Sequence, residues 1–222
     1  MTIRAKLYAA IVVVVAGLAL TVGVGIWAMS RLGNQFDDVQ RAADARALAL
    51  QLKFDVTDFN GWQTAYGYDG GTSRPTYLAS FARFRGDLAG ARSKLGPAEE
   101  ARLLDRIEGA ADDFARLDRA SWAALRAGRV EEVRRILLGP EIANFQRAAE
   151  ASQELAELEA ARSAVQARAF RDARTDALRL LLGASIVAAL LVVILLVTAI
   201  DLARRAEDVL EKEDEVGSSS VP

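Results

Sequence analysis

The chain has 222 residues, 28 Lys and Arg against 30 Asp and Glu, and neither cysteine nor histidine. That inventory excludes a zinc finger, a disulfide framework, a thiolate nucleophile and a Ser-His-Asp triad, and the near balance of charge argues against a nucleic-acid binder. With 43 alanines and only four prolines, the composition points to an all-α protein.

The first six residues carry Arg4 and Lys6, and no charge follows until Arg31. Residues 7–29 form a helix of roughly 34 Å at ~1.5 Å per residue, enough to cross a ~30 Å hydrocarbon core. A cleaved signal peptide has a shorter apolar run and a small-residue cleavage site, so this stretch reads as an uncleaved anchor. Within it Gly17, Thr21 and Gly25 recur every four residues. Such a stripe lets helices approach closely, and it also arises by chance in a Gly/Ala-rich span. The string GVGIWA has no strand before it, so it is no dinucleotide fingerprint.

Residues 30–179 hold 23 basic and 23 acidic side chains, with apolar residues at helical spacing throughout. A first helix continues from the span to about Asn60, with Leu32, Phe36, Val39, Ala43, Leu50, Phe54 and Thr57 as its expected inward stripe. Asn60-Gly61 is expected to loosen it. YDGGTSRPT supplies a turn. A second helix follows with Leu78, Phe81, Phe84, Leu88 and Leu95 inward, and Gly96-Pro97 ends it and opens a third. That third helix keeps Leu103, Ile107, Ala110, Phe114, Leu117, Ser121 and Ala124 on one seam up to a Gly128 cap. A short helix over Val130–Leu138 precedes a break at Gly139-Pro140. The last helix, with Ile142, Phe145, Ala149, Leu155, Leu158 and Val165, runs into a second charge-free stretch at 180–200. Residues 201–222 form a short acidic tail ending in a flexible GSSSVP. The expectation is a membrane-anchored, antiparallel four-helix bundle with two transmembrane helices. Both termini are placed in the cytoplasm and the middle outside.

At residues 54–69 the chain reads FDVTDFNGWQTAYGYD, and at 117–141 LDRASWAALRAGRVEEVRRILLGPE. These stretches resemble the extracytoplasmic four-helix-bundle sensor domain of bacterial chemoreceptors, the methyl-accepting chemotaxis proteins, over about residues 1–203. The resemblance implies a bacterial cell-membrane sensor that signals through its second span, as a homodimer. Chemoreceptors continue into a HAMP module and a methylated coiled coil, whereas here 22 residues follow the span. A full-length receptor, joined as a heterodimer, is the expected source of the transmitter. The alternative is a truncated receptor that binds no ligand and acts as a structural or regulatory membrane protein.

On a helical wheel Asp55, Asp58, Trp62, Tyr66 and Asp69 fall within about 80° of one another, opposite Phe54, Thr57 and Gly61. One reading makes them a dimer face and a pocket for a cationic small molecule. The other has the aromatics packing at the bundle tip and the acids solvated. Asp118 and Trp122, one turn apart, face the same end or pack there, and Arg74 in the turn is placed to neutralise an anionic ligand or Asp69. Glu131, Glu132, Arg134 and Arg135 read as a solvated face. Asp112-Asp113 are adjacent on a helix and do not face each other. No cofactor, metal or enzymatic activity is expected.

Overall fold

The computed structural model describes residues 3–96 and 98–218. All elements among them are helical: α1 (Ile3–Tyr68), α2 (Arg74–Lys94), α3 (Ala98–Arg126), α4 (Val130–Ile136), a π-helical turn (Leu137–Glu141) and α5 (Ile142–Ser218). Pro97, expected to open the third helix, lies outside the described residues, as do Met1, Thr2 and the last four residues of the tail. Helix α1 starts at Ile3, and α5 continues to Ser218, into the GSSSVP end.

The chain divides into two compact units, one holding residues 1–36 and 169–222, the other Asp37–Arg168. In the first unit the start of α1 and the end of α5 run antiparallel. A Cβ added at Gly17 would touch Leu191 at 3.4 Å and one at Gly25 would lie 3.9 Å from Leu181, while Phe36 meets Phe170 edge-on at 6.3 Å. The Gly17–Gly25 stripe therefore faces the chain's own α5, and the Thr21 hydroxyl donates back to the Gly17 carbonyl.

In the second unit four helices share one core. Leu52, Val56 and Phe59 come from α1, Phe84 and Leu88 from α2, Leu104, Ile107 and Phe114 from α3, and Ala151 and Leu155 from α5. Phe59 sits at its centre, with Phe81, Phe84 and Phe114 each about 5 Å away, ring to ring. Such aromatic contacts add roughly 0.5–1.5 kcal/mol apiece beyond the area they bury. Pairings across neighbours show antiparallel order: Arg92 with Asp105 between α2 and α3, and Arg106 with Glu154 between α3 and α5.

On α3 the expected seam is buried at Leu103, Ile107, Ala110, Phe114, Ser121 and Ala124, while Leu117 is half-buried. On α1 the expectation is reversed. Phe36, Ala43, Leu50, Phe54, Thr57 and Gly61 are exposed, Leu32 and Val39 are half-buried, and the buried stripe runs Ala49, Leu52, Val56, Phe59, Gln63, Tyr66. Leu78, Ile142 and Val165 are exposed as well. The reason is that α1 has two apolar stripes, and the one facing its own core includes polar residues that find partners there.

The Gly139-Pro140 break is also corrected. Residues 137–141 wind as a π-turn, whose wider ring tolerates the missing N–H of Pro140, so the helical path is not interrupted. Helix α1 likewise passes through Asn60-Gly61 without ending. Gly70, Gly71 and Gly128 all have positive φ, the conformation that turns and helix caps require and that glycine adopts without cost.

Candidate functional site

The end of the second unit where α1 hands over to α2 is built around a single cation. Arg74, the first residue of α2, forms a two-pronged ion pair with Asp118 of α3, Nη1 to Oδ1 and Nη2 to Oδ2 both 3.1 Å. Its guanidinium lies 4.4 Å from the Trp122 ring centre, 5.0 Å from Tyr66 and 5.8 Å from Tyr77. The Tyr66 hydroxyl donates to the same Asp118 carboxylate. Stacking on aromatic faces and fork-to-fork pairing are what a planar guanidinium does best. Burial pushes both the Tyr66 and the Tyr77 hydroxyl well above the usual phenol range, reinforced by the nearby Asp118 charge.

The turn that delivers Arg74 is tied by Asp69. Its carboxylate accepts the backbone N–H groups of Gly71 and Ser73, both at 3.0 Å, and the Ser73 hydroxyl at 2.5 Å. The Ser73 hydroxyl in particular holds the Asp69 carboxyl below its ordinary value. Trp122 lies directly on Gly71, where an added Cβ would come within 2.7 Å of the indole.

Beside this box, Gln63 of α1 donates its side-chain amide to Glu141 on the π-turn. The second Glu141 oxygen is buried without a hydrogen-bond partner among the described residues, and burial raises the carboxyl to about 8.

Further along α1, Asp55 and Asp58 meet Arg83 of α2, at 3.4 and 2.6 Å. Gln51 donates to Asp55 at 2.9 Å, and Trp62 donates its indole N–H to Asp58 at 3.2 Å. Asp55 is fully buried, and desolvation followed by the neighbouring Asp87 raises its carboxyl to about 6.

Asp55, Asp58, Trp62, Tyr66 and Asp69 therefore do not form one outward surface. Tyr66 and Asp55 point into the unit, Asp58 lies at its edge, Trp62 is 38 % exposed, and Asp69 belongs to the turn. Asp55 and Asp58 are turned toward Arg83 of α2, whereas Tyr66 belongs to the buried stripe and reaches Asp118 of α3. Tyr66, Arg74, Asp118 and Trp122, by contrast, are brought into one cluster. Its cation-binding faces are already filled by Arg74, which pairs with Asp118 and not with Asp69. Sequence reasoning missed Gln63, Tyr77 and Glu141. Gln63 falls on the Phe59–Tyr66 stripe and Tyr77 one turn after Arg74, but nothing local ties Gln63 to a partner 78 residues away.

No protein-family model, curated protein or solved structure matches the chain.

Proposed function

We propose that the chain is a chemoreceptor-like transmembrane sensor of the bacterial cell membrane. The unit over residues 37–168 lies outside, and both termini are cytoplasmic. A small molecule or a binding protein acts on this unit, and α5 passes the event through the second span to a partner that carries the output. The observation that supports this most is continuity. Helices α1 and α5 each join an apolar stretch, most of whose large side chains are exposed, to a segment packed in the four-helix core, within one unbroken helix. Trp27, with Arg31 5.3 Å from its ring, marks one end of the first stretch as interfacial aromatics and cations do. A ligand moves such a helix only through a difference in affinity for two arrangements.

The exposed stripe of α1 supports pairing with a second copy or with a full-length receptor. Ala43, Ala47, Leu50, Phe54, Thr57, Gly61 and Tyr68 recur at alternating three- and four-residue steps, broken only at Thr64, and all are exposed. Asp44, Arg46 and Lys53 flank the stripe, the pattern of a coiled-coil seam.

The second reading, a structural or regulatory membrane protein without a ligand, draws on the aromatic box being occupied by the chain's own Arg74.

Because the chain has no cysteine, single introduced thiols test the sensor arrangement directly. In intact bacteria a membrane-impermeant maleimide labels Ser93→Cys, and labels Ser218→Cys only after lysis. Oxidation crosslinks Phe54→Cys into a dimer but not Arg116→Cys. Labelling of both thiols from outside, or the reverse pattern, removes the two-span sensor reading.

A further inference from the structure

At the α2–α3 corner of the second unit, the neighbouring stretches of α1 and α5 border an open pocket of about 520 Å³ lined by Leu95, Glu100, Glu159 and Arg162 among others. The volume lies within the range of small-ligand pockets, ~300–1,000 Å³. Its charges are unevenly distributed. Glu100 of α3 and Glu159 of α5 are 1 % and 2 % exposed, whereas Asp38, Arg41 and Lys94 form an open rim.

Arg162 forms ion pairs with both buried carboxylates. Over the whole lining Asp38, Glu100 and Glu159 are balanced by Arg41, Lys94 and Arg162. At the deep end, however, one guanidinium serves two acids, so the unmatched negative charge there faces Lys94 only across the open rim. The second Glu100 oxygen is buried and has no hydrogen-bond partner among the described residues. A buried carboxylate is stable only when its charge is matched and its lone pairs are used, and burial accordingly pushes the Glu159 carboxyl up. The remaining walls include Ala42, Ala45, Leu158 and Val165, which offer nothing polar.

We propose that this cavity is a binding site for an organic ammonium ion, a primary amine on a short apolar body. The ammonium group donates to the unpartnered Glu100 oxygen and to Glu159, and its apolar body lies against Ala42, Ala45, Leu158 and Val165. Three N–H donors on one compact charge match what the two carboxylates lack. An anion seated at the deep end would add to the unmatched negative charge of Glu100 and Glu159. The buried acids distinguish this pocket from a cluster of surface carboxylates, and it is separate from the Arg74 box. Its biological role rests on the sensor reading but its chemistry does not: thiol labelling tests the one, and titration tests the other.

The experiment is calorimetric titration of the full chain in nanodiscs with n-butylammonium, n-butanol and butyrate. Saturable binding is expected for the ammonium ion alone. Glu100→Gln, which keeps an oxygen for Arg162, is expected to weaken it at least tenfold, and Glu150→Gln, at an exposed acid of α5 outside the cavity, to leave it unchanged. Should Glu100→Gln not fold, Glu159→Gln with intact helical circular dichroism serves in its place and is expected to show the same loss. Equal binding of n-butanol, unchanged affinity in the folded carboxamide variant, or no binding of the ammonium ion overturns the proposal. That last outcome, with the two-span labelling pattern intact, leaves the sensor reading standing and assigns the excess charge to a bound proton.

Discussion

Glu141 sits on a π-turn with one carboxylate oxygen accepting from Gln63 and the other buried without a partner among the described residues. Its carboxyl ionises at about 8 in the folded chain against an ordinary 4.5, because burial outweighs the Gln63 hydrogen bond. Between those two values the unfolded chain has released a proton that the folded chain still holds, so stability falls as pH rises through the window. Glu141→Gln keeps an acceptor for Gln63 and removes the titration. Denaturation at a series of pH values is expected to show the variant gaining on the wild type from pH 4.5 to 8, with no such gain below 4.5. A difference independent of pH would mean that the folded carboxyl is already ionised. The same residues show where reading by sequence stops. Tyr66, Arg74, Asp118 and Trp122 are each identifiable as candidates, since all are large or charged and lie near one turn. That Arg74 is itself the cation between the rings depends on geometry over 44 residues, which no local spacing encodes.

Helix α1 is the element in which periodicity misleads. Leu50 and Phe54 are more apolar than Asp55 and Gln63, yet the first pair is exposed and the second buried. Hydrophobic spacing finds the stripes of a helix but does not say which faces its own core. Where there was one stripe, as on α3, the inward face was legible although Leu117 is half-buried and Leu104 and Ala111 are buried beside the expected seam, and the Gly70-Gly71 and Gly128 turns were legible from glycine alone. The turn also supplies a test. Gly71 combines a φ of 99° with a Cβ position 2.7 Å from Trp122, whereas Gly109 in α3 has open space around it. Gly71→Ala is expected to cost about 1–3 kcal/mol, and Gly109→Ala to stabilise by up to about 1 kcal/mol. Thermal melts of the two variants separate backbone strain from helix propensity. Equal shifts would refute the close approach of the indole to the turn.

For the molecule as a whole, the division at residues 37 and 168 assigns the four-helix core to one unit. Residues 37–168 expressed alone are expected to give helical circular dichroism and one cooperative thermal transition, as a single core of this size does. A broad, non-cooperative melt would show that the core depends on the remainder of the chain. The all-α class and the two apolar stretches were evident from composition and charge spacing. The buried acids Asp55, Glu100, Glu141 and Glu159 were not, because their burial depends on partners supplied by other helices.

The distance in sequence between those partners sets an order of events during synthesis. Gln63 is made 78 residues before Glu141, an interval of about 4–16 s at ~5–20 residues per second. Helices α2 and α3 find each other early, since Arg92 and Asp105 are 13 residues apart. Phe59 and Tyr66 of α1 meet their ring partners once α2 and α3 are made, Gln63 waits for Glu141, and Ala151 and Leu155 join the core only with α5. The core is therefore closed last on its α5 side, and until that helix is made the nascent chain leaves that side of its interior open to whatever binds apolar surface.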